Sequence, residues 1–151
     1  MATTDVSHSL QVRSYELDSY AHVNNGAYLA WFEDGRERFL REEGRDYSYF
    51  LRELKTWILV VNIQCDYLAS ALSGDSLEIS TRLAKTGRTS IVFRQMARRT
   101  TDDTICARAR VVMVFADEGG KSCEIPPEFH QDYSTTDLGD SWSDAEGGQR
   151  A

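Results

Sequence analysis

Hydrophobic and polar positions divide the chain into one alternating stretch, one helical stretch and a long series of alternating stretches. Residues 6–16, VSHSLQVRSYE, place Val6, His8, Leu10, Val12 and Ser14 on one side of a predicted strand. A polar, turn-like segment runs from Asp18 to Asn25 and leads into a helix. Asn24 or Asn25 is its expected N-cap, because an asparagine side chain accepts from the orphan N–H groups of a first turn. Leu29, Phe32, Arg36, Phe39 and Leu40 then recur near helical spacing, Ala27, Tyr28 and Trp31 widen that face, and Gly44 stops the run. Gly35, inside this helix, costs about 1 kcal/mol relative to alanine. Close approach of its backbone to a sheet would explain its use. Residues 46–54 form a second, short predicted helix.

From Thr56 onward the period changes to two. TWILVVNIQCDYLAS is a long, β-branched strand, and DSLEISTRLAKTG sets Leu77, Ile79, Thr81 and Leu83 against Glu78, Ser80 and Arg82. TSIVFRQMARR follows, and TICARARVVMVFAD then turns Ile105, Ala107, Ala109, Val111, Met113 and Phe115 one way. Turn residues at Ser73-Gly74-Asp75, Gly87-Arg88 and Asp102-Asp103 separate the four strands, which predicts an antiparallel meander. The pattern predicts an α+β fold in which a curved antiparallel sheet wraps one long central helix.

Composition sets the limits of this picture. At 151 residues the chain suits one domain with a real core, over residues 1–130. The net charge is −7, and −4 of it falls in residues 131–151, where Asp132, Asp137, Asp140, Asp144 and Glu146 face Arg150 alone. This Ser-, Thr- and Gly-rich acidic tail is expected to be disordered or loosely attached. Scattered basic residues and the absence of a recognition motif exclude a nucleic-acid partner. No apolar run is long enough to span a membrane, and the N-terminus lacks the build of a signal peptide. Cys65, Cys106 and Cys123 are odd in number and widely spaced, as reduced thiols in a cytoplasmic protein would be. The three histidines lack metal-ligand spacing, so neither a metal nor another cofactor is expected.

The candidate chemistry lies in residues 18–36, DSYAHVNNGAYLAWFEDGR. Asp18 precedes a helix start by seven residues, and a helix start offers free N–H groups and the positive end of a dipole. A carboxylate and such donors are what thioester hydrolysis needs: a group that attacks or activates water, and a place for the carbonyl oxygen to become negative.

The segment resembles the signature of the 4-hydroxybenzoyl-CoA thioesterase-like branch of the hotdog-fold acyl-CoA thioesterases. Asp18, His22, Val23, Asn24, Asn25, Tyr28, Phe32, Glu33 and Arg36 match, while Ala21 replaces the usual glycine. CDYLASALSGDSLEIST is similar to a later family segment, with Ala69, Ser70 or Ala71 where proline is common; KTGRTS and EIPPEF also resemble family segments. The resemblance covers roughly residues 6–130. It implies acyl-CoA hydrolysis, with Asp18 as nucleophile or general base and the Asn25 backbone N–H polarising the carbonyl. His22 is a further catalytic candidate, Tyr28 a pocket wall, and Arg88, Thr89 and Ser90 contacts to the CoA moiety. Glu33 is the rival carboxylate, although its pairing with Arg36 three residues on suits a structural role. The resemblance also implies a homodimer or homotetramer with sites at the dimer interface. An acyl-carrier-protein thioesterase and a non-catalytic acyl-CoA-binding module are the alternatives.

Overall fold

The computed structural model describes residues 5–127 apart from residue 43; the acidic tail at 131–151 lies outside the described residues. Strand β1 (Val6–Gln11) leads through a 3₁₀ turn (Ser14–Glu16) to helix α1 (Asn25–Glu42) and helix α2 (Tyr47–Glu53). Strands β2 (Trp57–Tyr67), β3 (Ser76–Thr86), β4 (Ser90–Arg99) and β5 (Thr104–Ala116) complete the fold. Among the described residues no helix is long and apolar enough to cross a membrane.

All five strands form one antiparallel sheet in the order β1-β3-β4-β5-β2. Only β3, β4 and β5 form the expected meander. The expectation that β2 joins it as a consecutive neighbour is corrected: β2 pairs with β5 at the far edge, and β1 takes the place beside β3. The reason is the segment between β2 and β3, which crosses the end of the sheet instead of making a tight hairpin. Leu68 and Ala69 donate their N–H groups to the Cys106 carbonyl, and Gly74 donates to the Val12 carbonyl on the other side. Bulges at Val60/Asn62, Leu83/Lys85 and Ala97/Arg98 bend the strands. Strand β1 stops at Gln11, shorter than its polar alternation predicted, because the Glu16 carboxylate accepts from the Arg13 N–H and winds the chain into the 3₁₀ turn.

Helix α1 lies against the inner face of β1, β3 and β4. Asn24 is its cap: its Oδ1 accepts the Gly26 N–H at 2.8 Å. At the other end Gly44, at φ +70°, closes a Schellman turn in which Arg45 N donates to Leu40 O and Gly44 N to Arg41 O. The buried face carries Tyr28, Phe32, Gly35, Arg36, Phe39 and Leu40. Phe39 meets Phe93 edge-on, with ring centroids 5.4 Å apart. Gly35 does sit against the sheet, since a Cβ there would lie 2.6 Å from Thr81 Oγ1. Gln95, buried at the same level, donates from Nε2 to the Phe32 carbonyl (2.7 Å) and to Thr81 Oγ1 (2.9 Å). Its Oε1 accepts from Arg36 Nη1 at 2.9 Å. Arg36 therefore turns into the core, where it also meets Tyr47, and exposed Glu33 acts on it through charge alone.

His8 tests the inner face of β1. Its Nε2 lies 3.3 Å from Asp34 Oδ2, and its Nδ1 is buried with no partner among the described residues. Burial, then the charge of Arg38, holds its pKa below the ordinary 6.5 against the opposing pull of Asp34. A depressed histidine binds its proton more readily in the unfolded chain. Its contribution to stability is thus complete above 6.5 and is lost as pH falls toward the folded value. Denaturant midpoints measured from about pH 7 to about pH 5 are expected to fall more steeply in wild type than in His8→Gln. Parallel slopes would remove His8 from the acid response.

Candidate active site

The 18–22 turn is built around the Asp18 carboxylate. Its Oδ1 accepts the backbone N–H groups of Tyr20 (2.8 Å) and His22 (3.2 Å). The backbone closes the same turn, with Asp18 N donating to His22 O at 2.7 Å and Ala21 N to Asp18 O at 3.1 Å. Ala21 adopts φ +60°, the left-handed region that glycine enters freely. Alanine thus holds a left-handed conformation that costs a non-glycine residue about 1–2 kcal/mol. With Oδ1 pinned, Oδ2 is the carboxylate oxygen without a partner among the described residues.

Asp18, His22, Val23, Asn25, Tyr28 and the segment Tyr67–Ser70 line one open cleft of about 220 Å³. Asn25 is the first residue of α1, and its N–H has no acceptor among the described residues. The Tyr67 hydroxyl donates to the Asn25 carbonyl at 3.3 Å, tying β2 to the helix start. Tyr28 packs between Trp31 and Tyr67, with centroids 5.2 and 5.6 Å away. Trp31 is held in turn by its indole N–H, which donates to Glu16 Oε2 at 2.8 Å. Burial raises the Tyr28 phenol well above its ordinary value and lifts that of Tyr67 to about 12, so both present protonated hydroxyls. Tyr28 forms part of the wall of the cleft.

The cleft thus unites Asp18, His22, Asn25 and Tyr28 from the sequence reading. It does not include Arg88, Thr89 and Ser90 of the same chain. These lie at the β3–β4 turn, at the opposite end of β4 from the cleft. There Arg88 faces Glu124 at 3.4 Å and its carbonyl accepts from Ile125 N. Glu33 also lies outside the cleft lining. The sequence pattern assigned no site role to Leu68, Ala69 and Ser70, which the fold brings to the cleft together with Tyr67. No local pattern in the sequence marked this wall.

One long helix wrapped by a five-stranded antiparallel sheet is the hotdog architecture. The chain belongs to the thioesterase-like superfamily, whose family model matches residues 12–132. It is similar to the long-chain acyl-CoA thioesterase FadM of Escherichia coli, at 31% identity over 108 residues, covering 72% of this chain and 80% of FadM. It is also similar to the chloroplastic acyl-acyl carrier protein thioesterase ATL3 of Arabidopsis thaliana, at 24% over 124 residues, covering 82% of this chain and 65% of that one. A crystal structure of a 4-hydroxybenzoyl-CoA thioesterase variant with 4-hydroxybenzoyl-CoA superposes with a TM-score of 0.78, covering 84% of this chain and 96% of the other. At 19% identity that likeness is one of fold.

Proposed function

We propose that the protein hydrolyses acyl-CoA thioesters to free acid and CoA. The observation that carries this reading is the placement of the Asp18 carboxylate and the open Asn25 N–H on the wall of one cleft. The N–H, at the positive end of α1, polarises the thioester carbonyl and holds its oxygen as charge develops. Asp18 attacks the carbonyl carbon or takes a proton from the water that does. A C–O bond replaces the C–S bond, and the departing sulfur leaves as a thiol.

Two features support a second copy of the chain as part of the site. The cleft of about 220 Å³ is smaller than the roughly 300–1,000 Å³ of ordinary small-molecule sites. Beside it, edge strand β2 exposes Val60, Ile63 and Tyr67 in its inward register, together with Trp57, Leu59 and Val61. An apolar edge of this length is a template for pairing. Antiparallel pairing of β2 with its mate would bring the Trp57 end of one strand to the Tyr67 end of the other. The partner subunit's Arg88, Thr89 and Ser90, near the Trp57 end, would then approach this cleft as donors for the CoA phosphates. Ile63→Glu is expected to convert the assembly to monomer in light scattering and to lower turnover at least tenfold. A fully active monomer would confine the site to one chain.

The deciding experiment follows thiol release from a panel of aromatic, medium-chain and long-chain acyl-CoAs, with each acyl group also presented on acyl carrier protein. Turnover of the CoA series supports the reading. Faster turnover on the carrier protein would favour the alternative that the similarity to ATL3 raises. Tight binding of acyl-CoA without release would make the protein a binding module.

A further inference from the structure

We infer that Ser70 is a positioning residue for His22, setting its imidazole to protonate the departing sulfur. The inference rests on the hydrolysis proposed above. Ser70 Oγ lies 3.2 Å from His22 Nδ1, although 48 residues separate the two in sequence. Both side chains line the cleft. The His22 backbone N–H donates to Asp18 Oδ1, so the ring and the carboxylate belong to one turn. With Nδ1 engaged, Nε2 is the ring nitrogen without a partner among the described residues, and it lies on the opposite edge of the ring.

Ser70 is itself held from behind. Arg99 Nη1 donates to the Ser70 carbonyl at 2.8 Å. The Arg99 guanidinium is fixed by a bidentate pair with Asp102, at 3.0 and 2.9 Å, and lies 3.7 Å from Asp75 Oδ2. Asp75 Oδ2 also accepts the Leu72 N–H at 2.9 Å. Val23 N, one residue after His22, donates to the Ala71 carbonyl at 2.9 Å. The hydroxyl therefore sits on a strapped segment joined to the turn it orients.

The step balances as follows. The doubly protonated ring gives its Nδ1–H to Ser70 Oγ as a hydrogen bond and points Nε2–H at the sulfur. As the C–S bond breaks and its electron pair goes to sulfur, the Nε2 proton moves to that sulfur and CoA leaves as a thiol. The cationic ring is left neutral, with its Nδ1–H still donating to Ser70 Oγ. The proton that water loses in forming the C–O bond returns to Nε2, directly or through the Asp18 carboxylate. Each turnover consumes one water and restores the ring.

The test compares one acyl group on CoA with the same group on an acidic aryl thiol, whose thiolate leaves without needing a proton. Ser70→Ala is expected to lower kcat on the CoA ester about tenfold and on the aryl ester less than about twofold, while Ser70→Thr keeps wild-type rates. In a His22→Gln background Ser70→Ala should add nothing. Equal losses on the two esters, or losses that multiply with His22→Gln, would overturn the inference. Asp18→Asn serves as the separate control: it should depress both esters if the proposed hydrolysis is right, whatever Ser70 does.

Discussion

Asp18→Asn is expected to reduce kcat on acyl-CoA by about 10²- to 10⁴-fold while leaving the fold intact. The substitution is close to isosteric, and an amide oxygen can accept the Tyr20 and His22 N–H groups that Asp18 Oδ1 accepts now. The turn and its connection to α1 should therefore survive, and the melting temperature should stay near that of wild type. What disappears is the negative charge and basicity of the second oxygen, which the proposed mechanism needs either to attack or to deprotonate water. The Asn25 N–H remains, so residual turnover above the uncatalysed rate is expected. The check is thiol release at saturating substrate, with binding of intact acyl-CoA measured alongside. Unchanged kcat would remove Asp18 from the chemistry, whereas a loss accompanied by unfolding would assign it to structure.

The second large effect concerns the seat of the helix. Gly35→Ala gains about 1 kcal/mol of helix propensity, which taken alone predicts stabilisation. Packing reverses the sign. The new Cβ would meet Thr81 Oγ1 at 2.6 Å and Gln95 Nε2 at 3.0 Å. Neither can yield cheaply, because Gln95 is hydrogen-bonded to Phe32 O, Thr81 and Arg36 at once. Overpacking costs about 1–3 kcal/mol. A buried donor left without its acceptor costs about 1–3 kcal/mol more. The net loss is about 1–5 kcal/mol, or roughly 2–20 °C in melting temperature for a chain of this size. Gly35→Val, with more volume and less propensity gain, should lose more. A rise in melting temperature with Gly35→Ala would mean that the helix does not rest on Thr81.

The helix, its cap, its glycine stop and the inward residues of β3 were legible in the sequence, because local chemistry decides them; in β5 the bulge opposite Ala97/Arg98 pairs Ile105 with Arg98, off the expected inner face, and buries Cys106 instead. The order of strands was not. β2 reads as another consecutive strand, and only the hydrogen bonds of Leu68, Ala69 and Gly74 to distant carbonyls carry the chain across the sheet end. Arg36 stood on the apolar face in the sequence, but its burial needs Gln95 and Tyr47, which no local pattern connects to it. The site divides in the same way. Asp18, His22 and Asn25 sit in one motif and were found together. Tyr67 to Ser70 reach the cleft by tertiary folding, and Arg88 to Ser90 lie at the sheet's other end in a single chain.

The segment from Leu68 to Asp75 has a consequence for evolution. It walls the cleft and also tethers β2, the strand by which subunits would join. Remodelling it for bulkier cargo would strain the seam between protomers as well. Change of acyl preference in this scaffold should begin at Tyr28, which lines the cleft from the helix and meets β2 through the ring of Tyr67.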